Sequence, residues 1–280
     1  MNNIACPNCN NELSNAQKFC DVCGQKNSFH RFTVGHVTHE FFHAFTHADS
    51  GIIFLVKELA LNPGRVASEF VSGKIKKYFS PFTFMLLCVG FFVLMNNVLK
   101  TYPDPPKPDP KILQVIPTPE ARQKYIRLIE RSANGTKAMN KHANIITVIA
   151  MPLYAFIMWL FFRKRKRNFA EILIAMVFYT AFASLATTVL FNPILAYYKG
   201  TPAYIYIFLI NALLQSFYYT WGLKTFFNYR SAAGYFKIWP VMILTYVIWI
   251  VLTLLVFFIY VYGSQTGKVI AALWNAYFLK

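Results

Sequence analysis

Five long stretches of this chain are too apolar to remain in water. Phe82 to Leu99 runs eighteen residues without a charge, about the length needed for a helix to cross the hydrocarbon core of a bilayer. Asn144 to Phe162, Ala170 to Tyr197, Ala203 to Leu223 and Ile238 to Tyr262 repeat the pattern. The expected fold is therefore an all-α membrane protein with about five transmembrane helices. The third stretch is long enough to tilt or bend, and Asn192-Pro193 predicts a break near its end. Val269 to Leu279 is apolar but too short to span, and reads as interfacial.

Composition supports lipid as the main solvent. The chain is 56% hydrophobic and 18% aromatic, more than a globular protein carries. Its 11 acidic residues end at Glu171, while basic residues continue to Lys280, giving a net charge of +17. Much of that charge lies beside apolar spans, where cations hold loops in the cytosol and meet anionic headgroups. Nucleic acid is thus not an expected partner, and anionic membrane lipids are. The first 30 residues contain no apolar core of a signal peptide, so no cleavage is expected.

Residues 1–28 form a cysteine knuckle, 29–79 a set of amphipathic juxtamembrane helices, and 80–280 the transmembrane part. Asp49 can cap a helix over Ile52 to Leu61, where Lys57 and Glu58 interrupt the apolar run and favour a helix lying at the interface. Asn62-Pro63 and Ser80-Pro81 each read as a helix start with proline in the first turn. Arg65, Lys74, Lys76 and Lys77 are the expected contacts to lipid headgroups.

Lys and Arg counts in the short loops set the orientation. The run Arg163 to Arg167 belongs inside, Lys224, Arg230 and Lys237 agree, and the opposite loop has only Lys199. The N-terminus is then cytoplasmic, in a multi-pass protein of the cell inner membrane. Residues 100–142 fall outside on this count yet carry nine basic residues against four acidic ones, which runs against the rule. Seven prolines between Pro103 and Pro119 keep that loop extended. Thr118-Pro119-Glu120 then starts a charged helix that Gly135 is expected to end. A small folded element and a solvated spacer both remain open there.

Cys6-Pro7-Asn8-Cys9 and Cys20-Asp21-Val22-Cys23 are two C-x-x-C pairs ten residues apart. Four thiolates close a tetrahedral zinc shell with no position left for water, so the expected cofactor is a structural zinc ion. A fragment this short cannot bury enough core to fold alone, and metal binding would supply its folding free energy. A redox C-x-x-C would need a βαβ context, and none surrounds it. Cys88, inside the first span, reads as an inert packing residue.

Five of the six histidines fall between His30 and His47, and positions 36, 39, 43 and 47 share one helical face opposite Phe41, Phe42 and Phe45. His39-Glu40-Phe41-Phe42-His43 matches H-E-x-x-H, the zinc-protease pattern. That pattern needs a third ligand from elsewhere in the fold, and His47 comes from the same helix. Three readings stay open: a metal-dependent hydrolase using His39, Glu40 and His43; a second metal or proton-sensitive site of His39, His43, His47 and Asp49; and an ordinary polar helix face. No catalytic residue is expected with the last, which the residues favour.

The spans carry no central ionisable residue of the kind ion-coupled transporters use. Their polar groups, Asn96, Asn97, Thr147, Thr180, Thr187, Thr188, Asn192, Asn211 and Gln215 among them, suit hydrogen bonds between helices.

The stretches Phe-Thr-His-Ala-Asp at 45–49, Leu-Ala-Leu-Asn-Pro-Gly at 59–64 and Phe-Val-Ser-Gly-Lys-Ile-Lys-Lys-Tyr-Phe-Ser-Pro-Phe at 70–82 resemble a family of uncharacterised bacterial multi-pass membrane proteins, a domain of unknown function with an N-terminal zinc ribbon. The resemblance covers roughly residues 1–95. An Arg is common in that pattern where Ile75 stands, and His43, His47 and Asp49 recur in it more than the full H-E-x-x-H. It implies an inner-membrane helical bundle and no established activity. The functional expectation is a membrane protein that binds an unidentified protein partner or organises a complex through its first ninety residues. A small-molecule or lipid transporter module is the alternative that the five spans and the broken third span allow.

Overall fold

The computed structural model describes residues 4–13, 17–27, 32–35 and 51–263. Two short strands, β1 (Ile4–Ala5) and β2 (Glu12–Leu13), are followed by helices α1 (Ile52–Leu61), α2 (Pro63–Val71), α3 (Pro81–Leu99), α4 (Pro110–Val115), α5 (Pro119–Lys141), α6 (Ala143–Phe161), α7 (Phe169–Ala186), α8 (Asn192–Tyr197), α9 (Ala203–Phe226) and α10 (Ala233–Tyr262). Contacts divide the chain into one unit of residues 1–101 with 148–245 and a second of 102–147 with 246–280.

In the first unit α7 is the central helix. Helix α3 packs along it, α2 lies across α7 and α9, and α1 rests on α2 and α7. Ile172, Ile174, Phe178 and Tyr179 of α7 are fully enclosed, together with Phe84 and Met85 of α3, Val66 and Ala67 of α2 and Leu223 and Phe226 of α9. Cys88 is buried in α3, as its packing role requires.

The helix starts follow local chemistry. Helices α2 and α3 begin at Pro63 and Pro81, and neither Asn62 nor Ser80 caps with its side chain. The proline's preset φ and missing N–H therefore define these two starts. Helix α7 uses a capping box instead: Asn168 Oδ1 accepts from the Glu171 N–H at 2.8 Å, and Glu171 Oε2 accepts from the Asn168 N–H at 3.0 Å. That exchange lets Glu171 sit buried at the start of an apolar helix.

The distortion expected at Asn192-Pro193 occupies the preceding turn. Thr187–Phe191 is π-helical, and the Asn192 N–H reaches back to the Thr187 carbonyl. Pro193 has no N–H and its ring crowds the carbonyl four residues back, so the helix widens before it. Polar side chains gather at this turn. Thr187 Oγ1 donates to Asn211 Oδ1 at 3.1 Å, and Gln215 Nε2 donates to Thr187 Oγ1 at 2.9 Å. Asn192 and Asn96 approach to 3.5 Å.

Four helices among the described residues are long and apolar enough to cross a membrane: Pro81–Leu99, Ala143–Phe161, Phe169–Tyr197 and Ala233–Tyr262. These match the first, second, third and fifth expected spans. The fourth, read at 203–223, is a 24-residue helix whose Asn211, Gln215, Ser216, Thr220 and Lys224 leave it less apolar than the others.

In the second unit the loop 100–142 is largely helical. Asp109 caps α4 by accepting from the Lys111 N–H, and Thr118 caps α5 by accepting from the Ala121 N–H. Gly135 does not end α5, which continues to Lys141. Its lack of a side chain serves packing: a Cβ there would lie 2.9 Å from the Phe257 ring and 3.2 Å from that of Tyr260. Arg131 also donates to the Tyr260 carbonyl at 2.7 Å. The interfacial reading of Val269 to Leu279 lies outside the described residues.

Candidate metal centre

Cys6, Cys9, Cys20 and Cys23 converge so that all four Sγ atoms lie within 4.8 Å of one another. Cys6 and Cys23 are 3.6 Å apart, as are Cys9 and Cys20. Disulfide sulfurs would be near 2.05 Å, whereas a tetrahedron with metal–sulfur bonds of about 2.3 Å has edges of about 3.8 Å. The four thiols therefore have the spacing of a metal shell and could hold one ion.

Two equivalent backbone turns create this spacing. In the first, the Cys6 N–H donates to the Asn11 carbonyl at 2.8 Å and the Asn10 N–H donates to the Cys6 carbonyl at 2.9 Å. In the second, the Cys20 N–H donates to Gln25 at 2.7 Å and the Gly24 N–H to Cys20 at 2.8 Å. Asn10 (φ 62) and Gly24 (φ 68) occupy the same left-handed position in each turn, and asparagine and glycine are the residues that adopt it at least cost. Ala5 pairs with Glu12 and Phe19 with Lys26, one residue outside each turn. Asn11 Nδ2 donates to Asp21 Oδ1 at 3.2 Å and ties one turn to the other.

Among the described residues the hydrophobic core here contains only Leu13 besides the cysteines. One buried leucine is worth about 2 kcal/mol, against roughly 10–16 kcal/mol for a structural zinc site. Among the described residues, a bound ion would thus be the largest single contribution to ordering these turns. The thiols also need a cation to ionise together. The Asn11 backbone N–H favours a thiolate at Cys9, but lost hydration and hydrogen bonds with the other three sulfurs outweigh it and push Cys9 up to about 12. At Cys23 lost hydration opposes ionisation, yet hydrogen bonds with Asn8, the Gln25 backbone and neighbouring thiols bring it down to about 7.

The cysteine turns are anchored to the helices by residues that sequence reasoning missed. Gln25 is buried, and its Oε1 accepts from the Lys76 backbone N–H at 3.3 Å. The same residue's carbonyl closes the second cysteine turn. Phe32 stacks on Phe70 with ring centroids 5.7 Å apart, and Phe70 meets Phe178 edge-on at 5.2 Å. The Phe32 carbonyl accepts from Asn168 Nδ2 at 2.8 Å. Of these residues, only Asn168 stands in a local sequence pattern, the Asn168-x-x-Glu171 capping box, and sequence reasoning passed over it as well.

The four basic residues expected at headgroups lie beside this anchor. Arg65 pairs with Glu58. Lys74 and Lys77 both reach Glu69, at 3.2 and 2.5 Å, and the Tyr78 hydroxyl donates to Glu69 at 2.8 Å. Partial burial would raise the Glu69 pKa, but hydrogen bonds from Lys77, Tyr78 and Lys74 prevail and lower it to about 2. Lys76 is exposed. His39, Glu40, His43, His47 and Asp49 lie outside the described residues.

Residues 49–93 match a family described as a protein of unknown function (DUF3667). The matched segment holds α1, α2, the Glu69 cluster and most of α3, while the cysteine turns and the later helices fall outside it. No curated protein and no solved structure matches the chain.

Proposed function

We propose that this chain is a multi-pass protein of the cell inner membrane with five spans and a cytoplasmic N-terminus, whose zinc ribbon presents a docking surface to a protein partner. The helices long and apolar enough to span support the membrane setting. The observation that carries the docking role is the double use of Gln25, which closes a cysteine turn through its carbonyl and holds the juxtamembrane turn through its side chain. A ribbon fixed at such a point offers a partner a rigid surface. Four thiolates favour zinc over harder divalent ions and leave no position for a reacting water, so the ion is structural.

The test is to replace Cys6, Cys9, Cys20 and Cys23 together by serine. Membrane insertion, read by carbonate extraction, should persist while crosslinking to the partner is lost. Normal co-purification of every partner would reject the docking role.

A second reading, a transporter or lipid-handling module, draws on the polar side chains at the π-helical turn. Thr187, Asn211 and Gln215 already satisfy one another, which favours helix cohesion there. Metal analysis also weighs the histidine face: a second ion, lost on His43→Ala, would support a metal site of His39, His43, His47 and Asp49.

A further inference from the structure

The first unit carries a second basic surface whose chemistry differs from that of the Glu69 cluster. Arg163–Arg165 forms a 3-10 turn between α6 and α7, Lys166 adopts a left-handed φ of 58, and Arg167 leads into α7. Three of these guanidinium groups lie on aromatic rings. Arg163 is 4.3 Å from the Trp159 ring, Arg165 is 3.6 Å from Tyr229 and Arg167 is 4.6 Å from Phe226. Lys224 lies 4.9 Å from the Tyr235 ring. Phe162 stacks on Phe227 at 5.0 Å, so the α6–α7 turn and the α9–α10 loop form one surface.

Six of the cations on this surface are not neutralised by a carboxylate of the described residues. Arg163, Lys164, Arg165, Lys224, Arg230 and Lys237 have no carboxylate partner among the described residues, and the chain has no Asp or Glu after Glu171. Arg65, Lys74 and Lys77 contrast with them, each being paired. A guanidinium resting on a ring loses hydration on one face and keeps its N–H edge for an oxyanion, and its planar fork matches two phosphate oxygens.

We infer that this surface is a binding site for the phosphate headgroups of anionic phospholipids, with Arg163 and Arg165 as its centre. This rests on the membrane reading proposed above. Helices α6, α7, α9 and α10 all begin or end at this surface, which places it at the boundary where their apolar lengths give way to water. Phe161 and Phe236 are exposed at 55% and 80% beside the cations. A soluble anion would use only the charge, whereas a phospholipid also covers those rings with its acyl chains. Lipid is therefore the occupant that satisfies both parts of the surface.

The test uses the full chain purified in detergent and examined by native mass spectrometry with phosphatidylglycerol or phosphatidylcholine added. The wild type should retain phosphatidylglycerol preferentially, and Arg163→Gln and Arg165→Gln should each reduce retention about fivefold. The corresponding Arg→Lys changes should lose less, since charge persists without the fork. Millimolar inorganic phosphate should not displace the lipid. Equal retention of both lipids by the wild type, unchanged retention in the double Gln chain recovered folded, or displacement by inorganic phosphate would overturn the site. The chain with all four ribbon cysteines changed to serine should keep the lipid preference, so failure of the docking role leaves this result legible. A wild-type chain extracted from membranes by carbonate would instead sink the membrane reading itself.

Discussion

Gly64 of α2 lies against Gly222 of α9 so closely that a Cβ on Gly64 would sit 2.4 Å from the Gly222 carbonyl oxygen. A Cβ on Gly222 would in turn fall 2.7 Å from the ring of Tyr179 in α7. Two glycines therefore let a juxtamembrane helix reach the backbone of one long helix and, through it, the centre of the unit.

Alanine at either glycine should be costly because neither neighbour can withdraw. The Gly222 carbonyl is backbone, and Tyr179 is fully buried. Gly64→Ala and Gly222→Ala should each destabilise the protein by about 1–3 kcal/mol, read as a lower thermal midpoint in detergent. Gly90→Ala is the control. Nothing lies within 4 Å of its Cβ position in α3, so alanine there should be neutral or stabilise by up to about 1 kcal/mol.

Glu69 gives a pH dependence with a defined sign. Its pKa falls from 4.5 to about 2, so the folded state favours the carboxylate. The stabilisation is fully present above pH 4.5 and is lost as pH drops through about 2. Wild type and Glu69→Gln should differ in thermal midpoint at pH 7 by an amount equivalent to about 1 kcal/mol, since the partner lysines are partly exposed. That difference should shrink steadily between pH 4.5 and pH 2. A difference that grows on acidification would contradict the Glu69 assignment.

Gln25→Ala should release the cysteine turns from the juxtamembrane turn without emptying them. The Lys76 N–H loses its acceptor, so its hydrogen exchange should accelerate. Metal content should hold, because the Gln25 carbonyl that closes the second cysteine turn is unchanged. Exchange at Lys76 equal to wild type would show that this contact does not hold the turn.

Local signals made much of the fold legible. The Pro63 and Pro81 starts, the apolar lengths of α3, α6, α7 and α10 and the paired C-x-x-C turns each depend on neighbours in sequence. Gly135 was misread because glycine's role as a helix stop and its role as a close-packing residue look alike until Phe257 and Tyr260 are placed beside it. The fourth expected span was read, like the others, from an apolar run without charge, and its Asn211 and Gln215 hydrogen-bond Thr187 across a helix interface. The Glu69 cluster and the Gln25 contact were not legible. Lys74 and Lys77 look like free surface cations until the turn after α2 folds them back on one carboxylate. Gln25 and Lys76 are 51 residues apart and meet only in three dimensions.

The most direct test of the metal-built ribbon is elemental analysis of the full chain purified in detergent. One zinc ion per chain is expected, falling to none when Cys6, Cys9, Cys20 and Cys23 are changed to serine while the chain still partitions with membranes. A folded wild-type chain without bound metal, or a serine variant that keeps its zinc, would contradict the account.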